Sequence, residues 1–124
     1  MLKEACVENF TNVPGVIERG AKRIELCDNL AVGGTTPSIG VIKITAEYCS
    51  DKDASIIVIL RPRGGDFVYS LMEKAIMMRD LEEIIVLQAN GIAVGALTAA
   101  NALDKPFLEE IAKLASDYRI ELAF

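Results

Sequence analysis

The sequence predicts an α/β fold built on a parallel sheet, and three observations carry that expectation. Short apolar runs alternate with longer helical patterns, and the densest run, Ile56-Ile57-Val58-Ile59-Leu60, has the unbroken aliphatic character of a strand covered on both faces. Hydrophobic residues make up 52% of the 124 residues and charged residues 25%, enough apolar content to bury a core, so 1–124 reads as a single domain. Single glycines such as Gly20 and Gly91 precede strand-like runs, whereas longer glycine-rich loops follow them. That asymmetry assigns the longer loops to one end of the sheet.

Leu2 to Val7 is the first strand-like run, and a polar stretch from Glu8 to Asn12 leads into a helical pattern over Val13 to Arg19, with Pro14 in its first turn. Arg23-Ile24-Glu25-Leu26-Cys27 then alternates charged and apolar residues with period two, the mark of a strand whose faces see different surroundings. Ile39 to Tyr48 is the next helix, with Ser38 placed to cap its free amides. Ser55 to Leu60 is a central strand, and the segment Arg61-Pro62-Arg63-Gly64-Gly65-Asp66-Phe67 follows it directly. Over Ser70 to Leu87, apolar residues at Leu71, Ala75, Met78, Leu81, Ile84 and Ile85 predict one buried helix face. Ile92 to Leu97 is a strand, Lys105 to Ser116 is a helix presenting Phe107, Leu108, Ile111 and Leu114, and Ile120 to Phe124 is a last strand.

Strand and helix thus alternate four times and end on a fifth strand, the order of parallel βαβ units joined by right-handed crossovers. A (β/α)8 barrel takes eight strands and about 250 residues, so the expectation is a partial barrel of about five parallel strands and four helices. An open flavodoxin-like sheet is the competing architecture for five strands. A partial barrel exposes two strand edges, so the chain is expected to be either the N-terminal part of a longer protein or a piece completed by another chain, a homo-oligomer included.

Composition narrows the function. A formal net charge of −5 argues against a general nucleic-acid binder, which needs a basic face to displace counterions. The N-terminal residues lack the pattern of a secretory signal, and no apolar run approaches the roughly 20 residues that span a bilayer, so no membrane role is expected and the location is predicted as cytoplasmic. Three cysteines without disulfide-scaffold spacing read as reduced thiols, and the absence of histidine removes the commonest metal ligand and general base.

Two constellations remain. Period-two alternation puts Glu4 and Cys6 on one face of the first strand and Arg23, Glu25 and Cys27 on one face of the second. Neighbouring strands lie about 4.8 Å apart, so Cys6 and Cys27 are candidate thiolate ligands for one soft cation, Cu(I) being the natural choice for sulfur without histidine. Small buried hydrophobes are the alternative reading of both cysteines, and Cys49 is given no role. The second constellation is an anion site: Arg61 and Arg63 on one side of an extended loop, Gly64 and Gly65 admitting close backbone approach, and Arg23 facing the same interior, with Glu4 or Glu25 as candidate acid or base. Its alternative is an ion-pair network of Arg61 and Arg63 with Glu4, Glu25 and Asp66. Gly33-Gly34-Thr35-Thr36-Pro37-Ser38 is either a second wall of that site or a plain turn and helix cap.

Glu4-Ala5-Cys6-Val7-Glu8, Arg23 to Cys27, Gly33 to Val41 and Arg61 to Asp66 together resemble the CutC copper homeostasis family, in order and at compatible spacing, with Gly95-Ala96-Leu97-Thr98 as a weaker fifth match. The resemblance implies a TIM barrel, a cytoplasmic location, a role in copper homeostasis and Cu(I) binding through Cys6 and Cys27. The family carries a Phe-His-Arg-Ala-Phe-Asp motif after its fifth strand, and Phe124 stands where its first residue would be, so a site needing that histidine is expected to be incomplete here. Two functions follow as expectations: a Cu(I)-binding protein, or a TIM-barrel enzyme of unknown reaction holding a small phosphorylated or carboxylate substrate on Arg23, Arg61 and Arg63.

Overall fold

The computed structural model describes residues 2–124. Its elements are β1 (Glu4–Glu8), α1 (Val13–Glu18), β2 (Arg23–Cys27), a 3-10 turn (Leu30–Val32), α2 (Ile39–Asp51), β3 (Ser55–Ile59), α3 (Leu71–Val86), β4 (Gly91–Ala93), α4 (Lys105–Asp117) and β5 (Glu121–Ala123). The five strands form one sheet in the order β1-β2-β3-β4-β5, and every pair is parallel. That order decides the architecture. A doubly wound sheet reverses direction at a switch point and takes helices on both faces. Here each strand adds beside its predecessor, as in a (β/α)8 barrel.

The strand pattern shows how the sequence builds two different faces. Val7, Ile24, Leu26, Ile56, Val58 and Ile92 point toward the helices and form one core with Val13, Ile42, Met77, Leu81, Ile84 and Ile111. The alternate residues, Glu4, Cys6 and Glu8 on β1, Arg23, Glu25 and Cys27 on β2, Ile57 and Ile59 on β3, and Glu121 on β5, occupy the inner face. Each helix start has a local cause. The Ser38 hydroxyl accepts from the Val41 amide at 3.2 Å, and Ser70 with Glu73 forms a reciprocal capping box. Asp104 accepts from the Phe107 amide and holds Lys74 of α3 at 2.8 Å.

Two expectations are corrected. The buried stripe of α3 is Met77, Leu81 and Ile84, while Leu71 is 86% exposed and Ala75 also faces outward. Leu81 and Ile84 lie on the buried face as expected, with Met78 and Ile85 partly buried beside them, and the error is confined to the first turns, because apolar residues occur all round this helix: Met72, Ile76 and Val86 are exposed as well. β4 is shorter than Ile92 to Leu97, for its ladder ends at Ala93 and the following backbone turns to the loops, the Leu97 amide donating to Phe67 O at 2.9 Å. Among the described residues, no helix is long and apolar enough to cross a membrane.

Candidate functional site

The inner face of β1 and β2 brings three predicted residues together. The Sγ atoms of Cys6 and Cys27 lie 3.9 Å apart, and a Glu25 carboxylate oxygen joins them so that the three ligand atoms lie within 4.8 Å of one another. The register explains how. Cys6 stands opposite Glu25 and Cys27 opposite Glu8, so the thiols meet on a diagonal rather than face to face. One strand across and two residues along amounts to roughly 8 Å between their Cα atoms. A disulfide does not form beyond about 7 Å without backbone movement. The thiols therefore converge on the space between them without being set up to bond.

Cys27 is buried and Cys6 is exposed, so one thiol anchors the cluster and the other opens it. Burial pushes the Cys27 thiol up to about 12, and the neighbouring Cys6, Glu25 and Glu8 add to the rise. Each of these causes disfavours the Cys27 thiolate, and a cation between the sulfurs would offset them by its opposite charge. The loop after β2 roofs the buried sulfur. A Cβ on Gly34 would stand 3.4 Å from Cys27 Sγ and 3.2 Å from Ile59 Cδ1, at a backbone φ of +96°, so only glycine brings that loop so close.

The predicted arginines are not one cluster. Arg23 and Glu4 begin their strands, at the opposite end of the sheet from Arg61 and Arg63, and they pair with each other at 2.6 Å, with Glu121 3.6 Å from Arg23. Arg61 is 7% exposed and donates to three backbone carbonyls: Val32 at 2.7 Å, Gly34 at 3.0 Å and Gly65 at 2.8 Å. Its guanidinium also stacks on Phe67, 4.9 Å from the ring centre. Arg63 grips Glu73 at 2.6 and 3.2 Å, Asp66 at 3.2 Å, and the carbonyls of Gly64, Asp66 and Val68. These contacts bind the loop after β3 to the loop after β2 and to the start of α3. Of the anticipated network only the Arg63–Asp66 pair forms; Glu4 pairs with Arg23 instead, and Arg61 donates to backbone carbonyls.

Sequence reasoning missed Glu73 as the partner of Arg63. Its signal was available, since Ser70 followed three residues later by Glu73 is a capping-box pattern, and a glutamate fixed there stands beside the preceding loop. It also missed Thr36, whose hydroxyl accepts from the Arg61 amide at 2.9 Å while its own amide donates to Arg61 O at 2.9 Å. Gly33-Gly34-Thr35-Thr36 is thus a wall packed on β3, and Ser38 is the cap of α2.

Consecutive parallel strands, an outer layer of helices and a cysteine-carboxylate cluster on the inner face define a β/α-barrel protein of which this chain supplies five strands. A solved structure of 3-dehydroquinate dehydratase from Aquifex aeolicus shares that fold at a TM-score of 0.60 and 15% identity, over 98% of this chain and 51% of that one. The chain belongs to the CutC family, whose model it matches over residues 1–124. It is 48% identical over 120 residues to a CutC family protein of Enterococcus faecalis, covering 97% of this chain and 57% of the relative. It is 38% identical to a copper homeostasis protein cutC homolog of Dictyostelium discoideum, over 91% of this chain and 43% of that protein. The crystal structure of the putative copper homeostasis protein CutC from Streptococcus agalactiae superimposes with a TM-score of 0.91 at 40% identity, over 98% of this chain and 57% of the other. The chain therefore spans about half the length of the relatives it matches.

Proposed function

We propose that this chain takes part in copper homeostasis by holding Cu(I) as cargo between Cys6 and Cys27, with Glu25 as the third ligand. The observation that carries this reading is the 3.9 Å separation of the two sulfurs. At a metal–sulfur bond of about 2.3 Å, an ion placed between them subtends an S–metal–S angle of about 116°, which leaves a third direction free for a carboxylate. Thiolates favour Cu(I) and Zn(II) among common ions, and a closed structural zinc site wants four ligands where this cluster offers three. Reduced thiols suit a reducing compartment, so we place this activity in the cytoplasm. An anion site on Arg61 and Arg63 draws no comparable support, because most of their donors already serve backbone carbonyls, Glu73 and Asp66.

Anaerobic titration with Cu(I) against a competing chelator tests the reading. One tight equivalent is expected for the native chain and none for the Cys6→Ser, Cys27→Ser double variant. Equal binding by both proteins would overturn it, and tighter Zn(II) than Cu(I) binding would change the cargo.

A further inference from the structure

The 3-10 turn after β2, Leu30–Val32, buries none of its residues, and its two large apolar side chains, Leu30 and Val32, are exposed. No apolar anchor therefore ties it to the core. Polar contacts from the neighbouring strands hold it instead. At the end of β1, the Glu8 carboxylate accepts from the Leu30 amide at 2.6 Å. From the loop after β3, Arg61 Nη1 donates to Val32 O at 2.7 Å and to Gly34 O at 3.0 Å. Below the turn, Asp28 and Thr35 exchange backbone hydrogen bonds at 2.9 and 2.7 Å, a narrow neck that closes the loop. The two glycines of this loop serve different neighbours. A Cβ on Gly33 would stand 3.0 Å from Arg61 Nη1, and one on Gly34 would stand 3.4 Å from Cys27 Sγ. The same strip of backbone thus meets a guanidinium at one residue and a thiol at the next, which side chains at these positions would prevent.

We propose that Arg61 and Glu8 are positioning residues of the cysteine cluster: together they clamp Leu30–Gly34 as a flap over Cys27, and that clamp sets how fast the thiol, or an ion bound to it, exchanges with solvent. Arg61 acts on the sulfur through the turn, by the carbonyls of Val32 and Gly34. The neck at Asp28 and Thr35 lets the turn lift as a unit while β2 stays paired on both sides. Such an opening exposes little surface, so it differs in kind from unfolding of the chain. The ion-exchange half of this inference rests on the copper reading, and the thiol half does not.

The test follows iodoacetamide alkylation of the metal-free 124-residue chain at sub-denaturing urea concentrations, with peptide mass spectrometry reading each cysteine separately. Cys49, fully buried near the C-terminal end of α2, is the reference for global unfolding. Cys27 should alkylate at a rate that hardly changes with urea, while Cys49 alkylation rises steeply. Glu8→Ala and Arg61→Lys should each raise the Cys27 rate roughly tenfold without making it urea-dependent, and Glu8→Gln, which keeps an acceptor oxygen, should stay within about threefold of the native rate. Cys27 alkylation that climbs with urea in step with Cys49, or a Cys27 rate unmoved by either Glu8→Ala or Arg61→Lys, would overturn the proposal. Glu8 is exposed, so Glu8→Ala decides the question even where Arg61→Lys folds poorly. In a second arm, Cu(I) transfer from the loaded chain to a competing chelator should quicken by a similar factor in both variants, and transfer at the native rate would overturn the proposal as well. A native chain that binds no Cu(I) sinks the metal reading alone, since the alkylation rates decide the flap without metal.

Discussion

Arg61 is almost fully buried and meets no carboxylate, which makes it a fastener of backbone rather than a partner in an ion pair. Its planar fork reaches the carbonyls of two loops at once, a geometry that a lysine ammonium does not reproduce. Arg61→Lys is expected to cost about 2 kcal/mol in chemical denaturation, since the carbonyls of Val32, Gly34 and Gly65 lose charged donors. The cysteines set the pH dependence. Burial raises Cys27 to about 12 and Cys49 to about 11, both above the ordinary 9.0 of a thiol. The folded chain therefore holds these protons more tightly than the unfolded chain, and their contribution to stability is complete below pH 9 and lost as pH rises toward 11 and 12. Thermal melts of the metal-free protein should fall across that window, and Cys49→Ala should flatten part of the fall. Cu(I) must displace the Cys27 proton, so apparent affinity should rise with pH by about tenfold per unit for each proton released. Mild oxidation should leave Cys6 and Cys27 titratable as separate thiols, and a rapid disulfide between them would contradict the diagonal geometry. Period two in β1 and β2 made the shared face of Cys6, Glu25 and Cys27 legible in the sequence. The engagement of Arg61 was not legible, because a backbone carbonyl has no residue-specific signature.

At the scale of elements, close approaches rank the glycines. A Cβ at Gly91 would lie 2.6 Å from Ile57 Cδ1 and 2.7 Å from the backbone oxygen of Glu121, so Gly91→Ala presses on the rigid ladder of β5. The expected cost is about 2–3 kcal/mol, and adding Ile57→Val should recover little because the backbone contact remains. At Gly64 the nearest atom is Val32 Cβ at 2.8 Å, on the exposed 3-10 turn, which has room to yield. Gly64→Ala should cost about 1 kcal/mol, and comparative melts of the two variants check the ordering. Ser70→Ala removes the cap of α3 at about 1 kcal/mol and loosens the Glu73 that holds Arg63. Strands and helix starts were legible because alternation and capping residues act locally. The buried face of α3 was legible in its second half, at Leu81, Ile84 and Ile85, but not at its start, since Leu71, Met72 and Ile76 are as apolar as Met77, which packs.

For the whole molecule, the repeat of strand and helix announced a parallel sheet, but periodicity alone did not choose between a barrel and an open doubly wound sheet. Strand order is a long-range property, and the consecutive pairing of β1 through β5 supplies it. Addition of salt should stabilise the isolated chain, because screening relieves repulsion among Glu8, Glu25 and the other inner carboxylates, and urea midpoints at low and moderate ionic strength measure that gain. The diagonal placement of the two sulfurs has a mechanical side as well. β1 is held in the sheet by β2 alone, and a slip by one residue would turn Cys6 toward the helices and Val7 out of the core. An ion shared by Cys6 and Cys27 would act as a pin through two laminae, locking one alignment and resisting shear of the edge. Amide hydrogen exchange along β1 should then slow on metal loading far more than exchange along β4, so that the ion reports its own arrival in the motion of a strand.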